Sequence, residues 1–124
     1  MVAGPAGGVD TGACPFCAIV AGRLPAEVLF SDGETVAFRD IAPQAPTHVL
    51  VVPRRHVTHF GTLGPDDAAL VAALVRSAQR VADLEGVAES GYRVVANIGH
   101  DAGNSVPHLH LHVLGGRRLT WPPG

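Results

Sequence analysis

The stretch from Asn104 to Gly116, "NSVPHLHLHVLGG", contains three histidines in strict alternation. Residues i, i+2 and i+4 of a β-strand lie on the same face of the sheet. The pattern therefore predicts a strand with imidazoles on one face, from His108, His110 and His112. The other face is apolar and is predicted to pack on the core through Leu109, Leu111 and Val113.

The spacing of these histidines limits their chemistry. On a strand, the Cα atoms of neighbouring histidines are about 6.6 Å apart and those of the outer two about 13 Å apart. One metal ion bound by all three would strain the strand, so the pattern favours separate roles. Three interpretations remain open at this point: a solvated strand face, a hydrolytic metal site built on a His-x-His pair, and phosphorus chemistry with a neutral imidazole as nucleophile.

The flanking sequence predicts an α+β fold. Four further strands are indicated by β-branched and aromatic runs: "EVLFS", "TVAFRD", "HVLVVP" and "YRVVAN". One long helix is predicted from Pro65 to Glu85, with an apolar stripe at Leu70, Leu74, Val81 and Leu84 and a C-terminal cap at Gly86. A short helix is predicted in "PFCAIVAG", ending at Gly22. Together these elements indicate an antiparallel sheet of about five strands with one long helix.

Composition sets the broad class. The chain has 124 residues, 47% hydrophobic and 16% charged, which suits one globular domain. A net charge of −2 argues against nucleic acid or an anionic membrane as partner, and no apolar run reaches the roughly 18 residues of a membrane span. Residues 1–13 lack the features of a signal peptide and are predicted to be a disordered leader before a single domain at 14–124. A cytoplasmic location is expected, which leaves the two cysteines available for metal or redox chemistry.

Three long segments carry a resemblance to a known family. They are "CPFCAIVAGRLPAEVLF", "FRDIAPQAPTHVLVVPRRH" and "GYRVVANIGHDAGNSVPHLHLHVLGGRRLTWPPG". The chain resembles the histidine triad (HIT) family, and within it the Hint branch of purine nucleoside phosphoramidases, from about Cys14 to Gly124. The resemblance implies a HIT-like fold whose two protomers join into a continuous sheet. It also implies hydrolysis of the P–N bond in nucleoside 5′-phosphoramidates.

The resemblance implies a role for each matching position. His110 matches the nucleophile that forms a nucleotidyl-histidine, while His112 and His48 match residues that contact the phosphate. Ser105 and Asn97 match polar groups of the phosphate and leaving-group site, and the serine is expected to help protonate the departing amine. The purine nucleoside would contact Asp40 through its ribose hydroxyls, and its base would contact the apolar residues Phe16, Ile19, Leu24, Phe38, Ile41 and Leu50. Trp121 matches a tail residue that approaches the active site of the partner subunit.

The cysteines suggest a second site. Cys14 and Cys17 have the C-x₂-C spacing of many zinc sites, although one such pair does not complete a tetrahedral site. The resemblance implies His56 and His108 as the remaining ligands of a structural zinc, as in some bacterial triad proteins. The alternative is a pair of reduced cysteines without metal. His59 and His100 match no motif and are expected at the surface.

Some positions depart from the family pattern. Pro107 cannot donate a backbone hydrogen bond, so the histidine strand should begin at or after it. Arg39 and Ile98 are also unusual, which leaves substrate preference and rate open. Two rival functions remain: a dinucleoside polyphosphate hydrolase, as in the fragile-histidine-triad branch, and a nucleotide-binding interaction module with vestigial catalysis. The branch with polyphosphate activity usually lacks the "WPPG" tail.

Overall fold

The structure is a computed structural model that describes residues 13–124. The predicted leader therefore lies outside the described residues, apart from Ala13. Within this described range, two α-helices and five strands form the fold, and short 3₁₀ turns lie between some of them. In chain order they are α1 (Pro15–Val20), β1 (Val28–Ser31), β2 (Thr35–Arg39), β3 (Thr47–Pro53), α2 (Ala68–Leu84), β4 (Tyr92–Val95) and β5 (Leu111–Gly115).

The five strands form one antiparallel sheet in the order β1-β2-β3-β5-β4. The β1–β2 hairpin turns at Asp32, whose carboxylate accepts hydrogen bonds from the backbone N–H groups of Glu34 and Thr35. Such a side-chain cap replaces ladder bonds that a turn cannot make. The predicted fold class, strand count and single long helix are confirmed.

The sheet separates two apolar clusters. On one face, α2 packs on a cluster that includes Val49, Val51, Leu111 and Val113. On the other face, α1 contributes Phe16 to a smaller cluster with Phe38 and Leu50. Alternation along β3 explains the division, because odd-numbered valines point towards α2 while Leu50 points towards α1. The functional residues described below lie on the α1 face.

Helix α2 differs from the predicted helix at both ends. A 3₁₀ turn, Pro65–Asp67, precedes the α-helix, so the regular part begins at Ala68. The predicted stripe is correct for Leu70, Leu74 and Val81 but wrong for Leu84, which is 56% exposed. The buried face continues through Ala78 and Ala82, and Leu84 therefore lies to one side of it at the last helical residue.

The histidine strand is shorter than the sequence pattern predicts. The hydrogen-bonded ladder of β5 begins at Leu111, so His108 and His110 lie in an extended segment before it. Pro107 cannot donate to a ladder, and the N–H of Leu109 instead donates to the carbonyl of Val57 at 2.6 Å. The predicted alternation nevertheless holds, because Leu109 and Leu111 join the cluster beneath α2. None of the helices described is long and apolar enough to cross a membrane.

Candidate active site

An open pocket of about 500 Å³ lies between α1 and the sheet. Its lining includes ten of the residues proposed from sequence to bind a nucleotide: Phe16, Ile19, Leu24, Phe38, Asp40, Ile41, Leu50, Ser105, His110 and His112. Phe16 anchors the inner wall, with its ring 5.0 Å from that of His110 and 5.6 Å from that of Phe38. Leu24 and Ile41 form an exposed rim. The pocket thus combines an apolar wall with a polar end.

His110 has a defined tautomer at the polar end. Its Nδ1 lies 2.7 Å from the backbone carbonyl oxygen of His108. A carbonyl oxygen can only accept, so Nδ1 carries the proton and donates it to this bond. The neutral ring therefore has its lone pair on Nε2, which is the atom a nucleophilic imidazole needs.

His48 and His112 form a directed hydrogen-bond chain. The backbone N–H of Gln44 donates to Nδ1 of His48 at 3.0 Å, so in the neutral ring the proton of His48 is on Nε2. That Nε2 lies 2.9 Å from Nδ1 of His112 and 3.4 Å from a carboxylate oxygen of Asp40. When His48 donates to His112, the neutral ring of His112 must carry its own proton on Nε2. The chain thus makes His112 a hydrogen-bond donor at a pocket wall.

Burial keeps these imidazoles neutral. It lowers the pKa of His112 to about 4, with His110 and His48 acting in the same direction and Asp40 opposing. Burial also lowers the pKa of His48, again against the carboxylate of Asp40. Both rings are therefore uncharged at neutral pH. The chain acts through N–H dipoles whose orientation the fold fixes, and not through a positive charge.

The remaining predicted residues are placed less centrally. Ser105 is exposed at the pocket edge. Asn97 is half-buried two residues beyond β4, and it is not among the described residues that line the pocket. Trp121 is 81% exposed in the C-terminal tail. Of the two histidines expected at the surface, His100 is exposed, while His59 is half-buried and accepts a hydrogen bond from the N–H of Gly61.

Next to the pocket, Cys14, Cys17, His56 and His108 bring four ligand atoms within 4.8 Å of one another. Cys14 is the N-cap of α1, and its Sγ accepts from the N–H of Cys17 at 3.3 Å. Nε2 of His108 donates to the carbonyl of Pro53, which leaves its Nδ1 lone pair 3.3 Å from Sγ of Cys14. Sγ of Cys17 is 3.0 Å from Nδ1 of His56.

The donor set fits zinc. A tetrahedral ion with Zn–S bonds of about 2.3 Å and Zn–N bonds of about 2.0–2.1 Å holds its ligand atoms about 3.4–3.8 Å apart. The four atoms can reach these separations with small shifts. Burial, with Cys14 beside it, raises the pKa of Cys17 to about 12, so a thiolate there needs a cation. Burial lowers the pKa of His108 to about 4, so the ring is neutral and available as a ligand.

Several residues that shape the site carried no signal in the sequence. Gln44 acts through its backbone N–H, which no side-chain pattern reveals. Arg117 binds the carbonyl of Gln44 at 2.9 Å and so connects the C-terminal tail to the loop beside His48. Glu85, at the end of α2, binds Arg39 and Thr47, each of which precedes a proposed site residue. The sequence does not show that Arg39 and Glu85 meet, because the two residues are far apart in the chain.

Comparison with known proteins relates this chain to one family. The HIT domain family matches residues 21–119. An uncharacterised HIT-like protein of Synechococcus elongatus is 42% identical over 109 residues, which is 88% of this chain and 95% of the relative.

Solved structures agree in fold. A HIT family hydrolase from Legionella pneumophila Philadelphia 1 is 48% identical, with a TM-score of 0.87, over 90% of this chain and 99% of the other. A HIT family hydrolase from Clostridium thermocellum is 37% identical, with a TM-score of 0.85, over 87% and 94% of the two chains. With its alternating histidines beside an apolar pocket and these matches along most of its length, the chain belongs to the HIT family.

Proposed function

We propose that this protein is a HIT hydrolase of the Hint type, which cleaves the P–N bond of purine nucleoside 5′-phosphoramidates. The products are a nucleoside 5′-monophosphate and an amine. The observation that carries the proposal is the hydrogen bond from Nδ1–H of His110 to the carbonyl of His108, because it presents the Nε2 lone pair beside the apolar pocket. Solved relatives named HIT family hydrolases support the coarser activity.

The reaction requires two displacements at phosphorus. In the first, Nε2 of His110 forms a bond to phosphorus while the P–N bond of the substrate breaks, and its electron pair leaves with the amine. The amine takes up a proton as it departs, and the hydroxyl of Ser105 at the pocket edge is our candidate donor. In the second, water attacks phosphorus and gives up a proton, which restores the hydroxyl of Ser105. The bond to His110 breaks with its electron pair returning to Nε2, and the nucleoside monophosphate is released.

The donor chain would stabilise the charge on the phosphate. Nε2–H of His112 is the end of the chain that runs from the N–H of Gln44 through His48. A neutral donor of fixed orientation stabilises developing negative charge without a solvent reorganisation cost. Because the rings are already oriented before substrate binds, this contribution is available in both displacements.

The rest of the pocket suits a purine nucleoside. Its volume of about 500 Å³ lies in the range of small-molecule sites. Apolar walls hold a base mainly by burial and stacking, so we expect weak discrimination between adenine and guanine. The carboxylate of Asp40 accepts one bond from the N–H of Ala42 and retains lone pairs for ribose hydroxyls.

The proposal is tested by rapid mixing of the protein with adenosine 5′-phosphoramidate, followed by acid quench and mass spectrometry. We expect a nucleotidyl adduct on His110 and steady-state release of AMP. His110→Ala should lose the adduct and turnover while still binding AMP. His100→Ala, which removes an exposed histidine away from the pocket, is the matched control and should behave like the wild type.

The two rival functions predict other outcomes. Faster turnover of diadenosine triphosphate than of the phosphoramidate would favour a dinucleoside polyphosphate hydrolase. AMP binding without adduct or turnover would favour an interaction module. Near-normal turnover by His110→Ala would contradict the assigned nucleophile.

We further propose that Cys14, Cys17, His56 and His108 hold a structural zinc ion. With four protein ligands such a site has no open position, so its contribution is to fix α1 and the segment before β5 relative to each other. Metal analysis of protein purified without chelator should find about one zinc per chain. Cys14→Ser should lose the metal, whereas His59→Ala, at a half-buried histidine outside the cluster, should retain it. Undiminished zinc in Cys14→Ser would refute the site.

A further inference from the structure

A bidentate ion pair joins the sheet to the end of helix α2. The guanidinium of Arg39 donates from Nη1 to Oε1 of Glu85 at 2.6 Å and from Nη2 to Oε2 at 2.9 Å. Its Nε also contacts Glu27 at 2.5 Å. The side chain of Glu85 is 14% exposed, so this pair is shielded more than a surface ion pair. Fork-to-fork geometry of this kind fixes orientation as well as distance.

Glu85 contacts both ends of the loop that joins β2 to β3. Arg39 is the last residue of β2, and Asp40 follows it directly. Thr47 is the first residue of β3, immediately before His48, and its hydroxyl donates to Oε1 of Glu85 at 3.4 Å. One carboxylate thus holds the residue before Asp40 and the residue before His48, across the loop of residues 40–46.

The other contacts of Asp40 lie within the same loop and at the start of β3. Its Oδ1 accepts from the N–H of Ala42, its backbone N–H donates to the carbonyl of His48, and its Oδ2 lies 3.4 Å from Nε2 of His48. His48 in turn follows Thr47, whose hydroxyl contacts Glu85. The position of the carboxylate relative to the pocket therefore depends on how the two strand ends are held. Glu85 is the C-cap residue of α2, an element separate from this loop.

We propose that the Arg39–Glu85 pair positions Asp40 for recognition of the nucleotide's ribose hydroxyls, and so sets the preference of the site for ribonucleotides over 2′-deoxyribonucleotides. The inference rests on the proposed function, in which Asp40 faces the ribose. Arg39 borders the pocket, but its guanidinium is paired with Glu85 and Glu27, so we assign it a positioning role. Glu85 is not among the described residues that line the pocket, so Glu85→Gln tests this role without altering a pocket residue. Lysine at position 39 would keep the charge but not the fork.

The test compares the binding of AMP and 2′-deoxy-AMP by isothermal titration calorimetry, with Arg39→Met and Glu85→Gln as two independent variants. Hydrogen bonds to a charged group correspond to roughly a tenfold to hundredfold difference in affinity, so the wild type should favour AMP by about that factor. Both variants should reduce the ratio to about threefold or less, and Arg39→Lys should restore only part of it. Arg55→Met, which breaks the Arg55–Asp67 ion pair away from this pocket, should leave the ratio unchanged.

Circular dichroism at the assay temperature establishes that each variant is folded, and a general loss of stability would weaken both ligands equally. An unchanged ratio in folded Arg39→Met and Glu85→Gln would overturn the inference. So would a wild type that binds the two nucleotides equally, even if it hydrolyses adenosine phosphoramidate. Failure of the proposed function has a different signature: the wild type would then retain its AMP preference but form no adduct on His110.

Discussion

Each of the three alternating histidines has one ring nitrogen bound to a different partner. Nε2 of His108 binds the carbonyl of Pro53, Nδ1 of His110 binds the carbonyl of His108, and Nδ1 of His112 binds His48. The opposite nitrogen is thereby assigned in each case. Nδ1 of His108 carries a lone pair that faces two thiols, and Nε2 of His110 carries a lone pair beside the pocket. Nε2 of His112 carries a proton and is a donor. Residues that are identical in sequence thus become chemically distinct.

The low pKa of His112 predicts how the folding stability of the protein depends on pH. A histidine in the unfolded chain titrates at about 6.5, while burial beside His110 and His48 lowers the pKa of native His112 to about 4, against the effect of Asp40. Between these values the unfolded chain binds a proton that the native state does not bind. Protonation therefore favours unfolding, and the stability from this group is lost as pH falls from about 6.5 towards 4.

We expect the melting temperature of the wild type to fall across this pH range, and His112→Asn to show a shallower fall. Differential scanning fluorimetry at saturating zinc measures both slopes. The difference between the two slopes reports the effect of His112, because the two proteins differ only at that residue. His100→Asn, at a fully exposed imidazole, should retain the slope of the wild type. Parallel slopes for the wild type and His112→Asn would contradict a depressed pKa.

At the scale of elements, α2 supports the face of the sheet opposite the pocket. Its buried face carries the large Leu70 and Leu74 in the first half of the helix and the small Ala78 and Ala82 in the second half, and it packs on β3 and β5. The same strands carry His48 and His112 on their other face. The packing of α2 therefore fixes the backbone on which the donor chain is built.

Leu74→Ala should lower the free energy of unfolding by about 2–5 kcal/mol, because a side chain that is 1% exposed leaves a cavity in a packed core. Urea denaturation monitored by circular dichroism measures the change. Leu84→Ala, at the 56% exposed position of the same helix, is the matched control and should cost about 0.5 kcal/mol or less. Equal losses at the two positions would contradict the packing described for α2.

At the scale of the whole molecule, the sheet has two edges of different character. β1 has an irregular register between Val28 and Phe30, which disfavours further pairing. β4 is regular and exposes Tyr92 and Val94. An exposed regular edge with apolar side chains is a template for pairing with a second copy. We therefore propose that two protomers join along β4 into a continuous sheet.

Val94→Arg should convert this dimer to a monomer in sedimentation velocity experiments, because it places a charge on each side of the proposed contact. Val28→Arg makes the same substitution at a similarly exposed valine of β1 and should leave the dimer intact. A monomeric wild type, or a dimer unaffected by Val94→Arg, would contradict pairing along β4. The exposed Trp121 is predicted to approach the partner subunit only if this dimer forms.

The sequence alone determined the strands and the long helix, because hydrophobic periodicity and local turn chemistry act over short distances. It predicted the pocket walls only through its resemblance to the HIT family. It also predicted the distinct roles of the three histidines, on the strength of motif resemblance. The predictions that Leu84 is buried and that the histidine strand begins before Leu111 were wrong, because both features depend on where neighbouring elements end. The tertiary structure alone decided which ring nitrogens are protonated, how Gln44 orients His48, and that Glu85 meets Arg39. These contacts join residues far apart in the chain, where no local pattern records them.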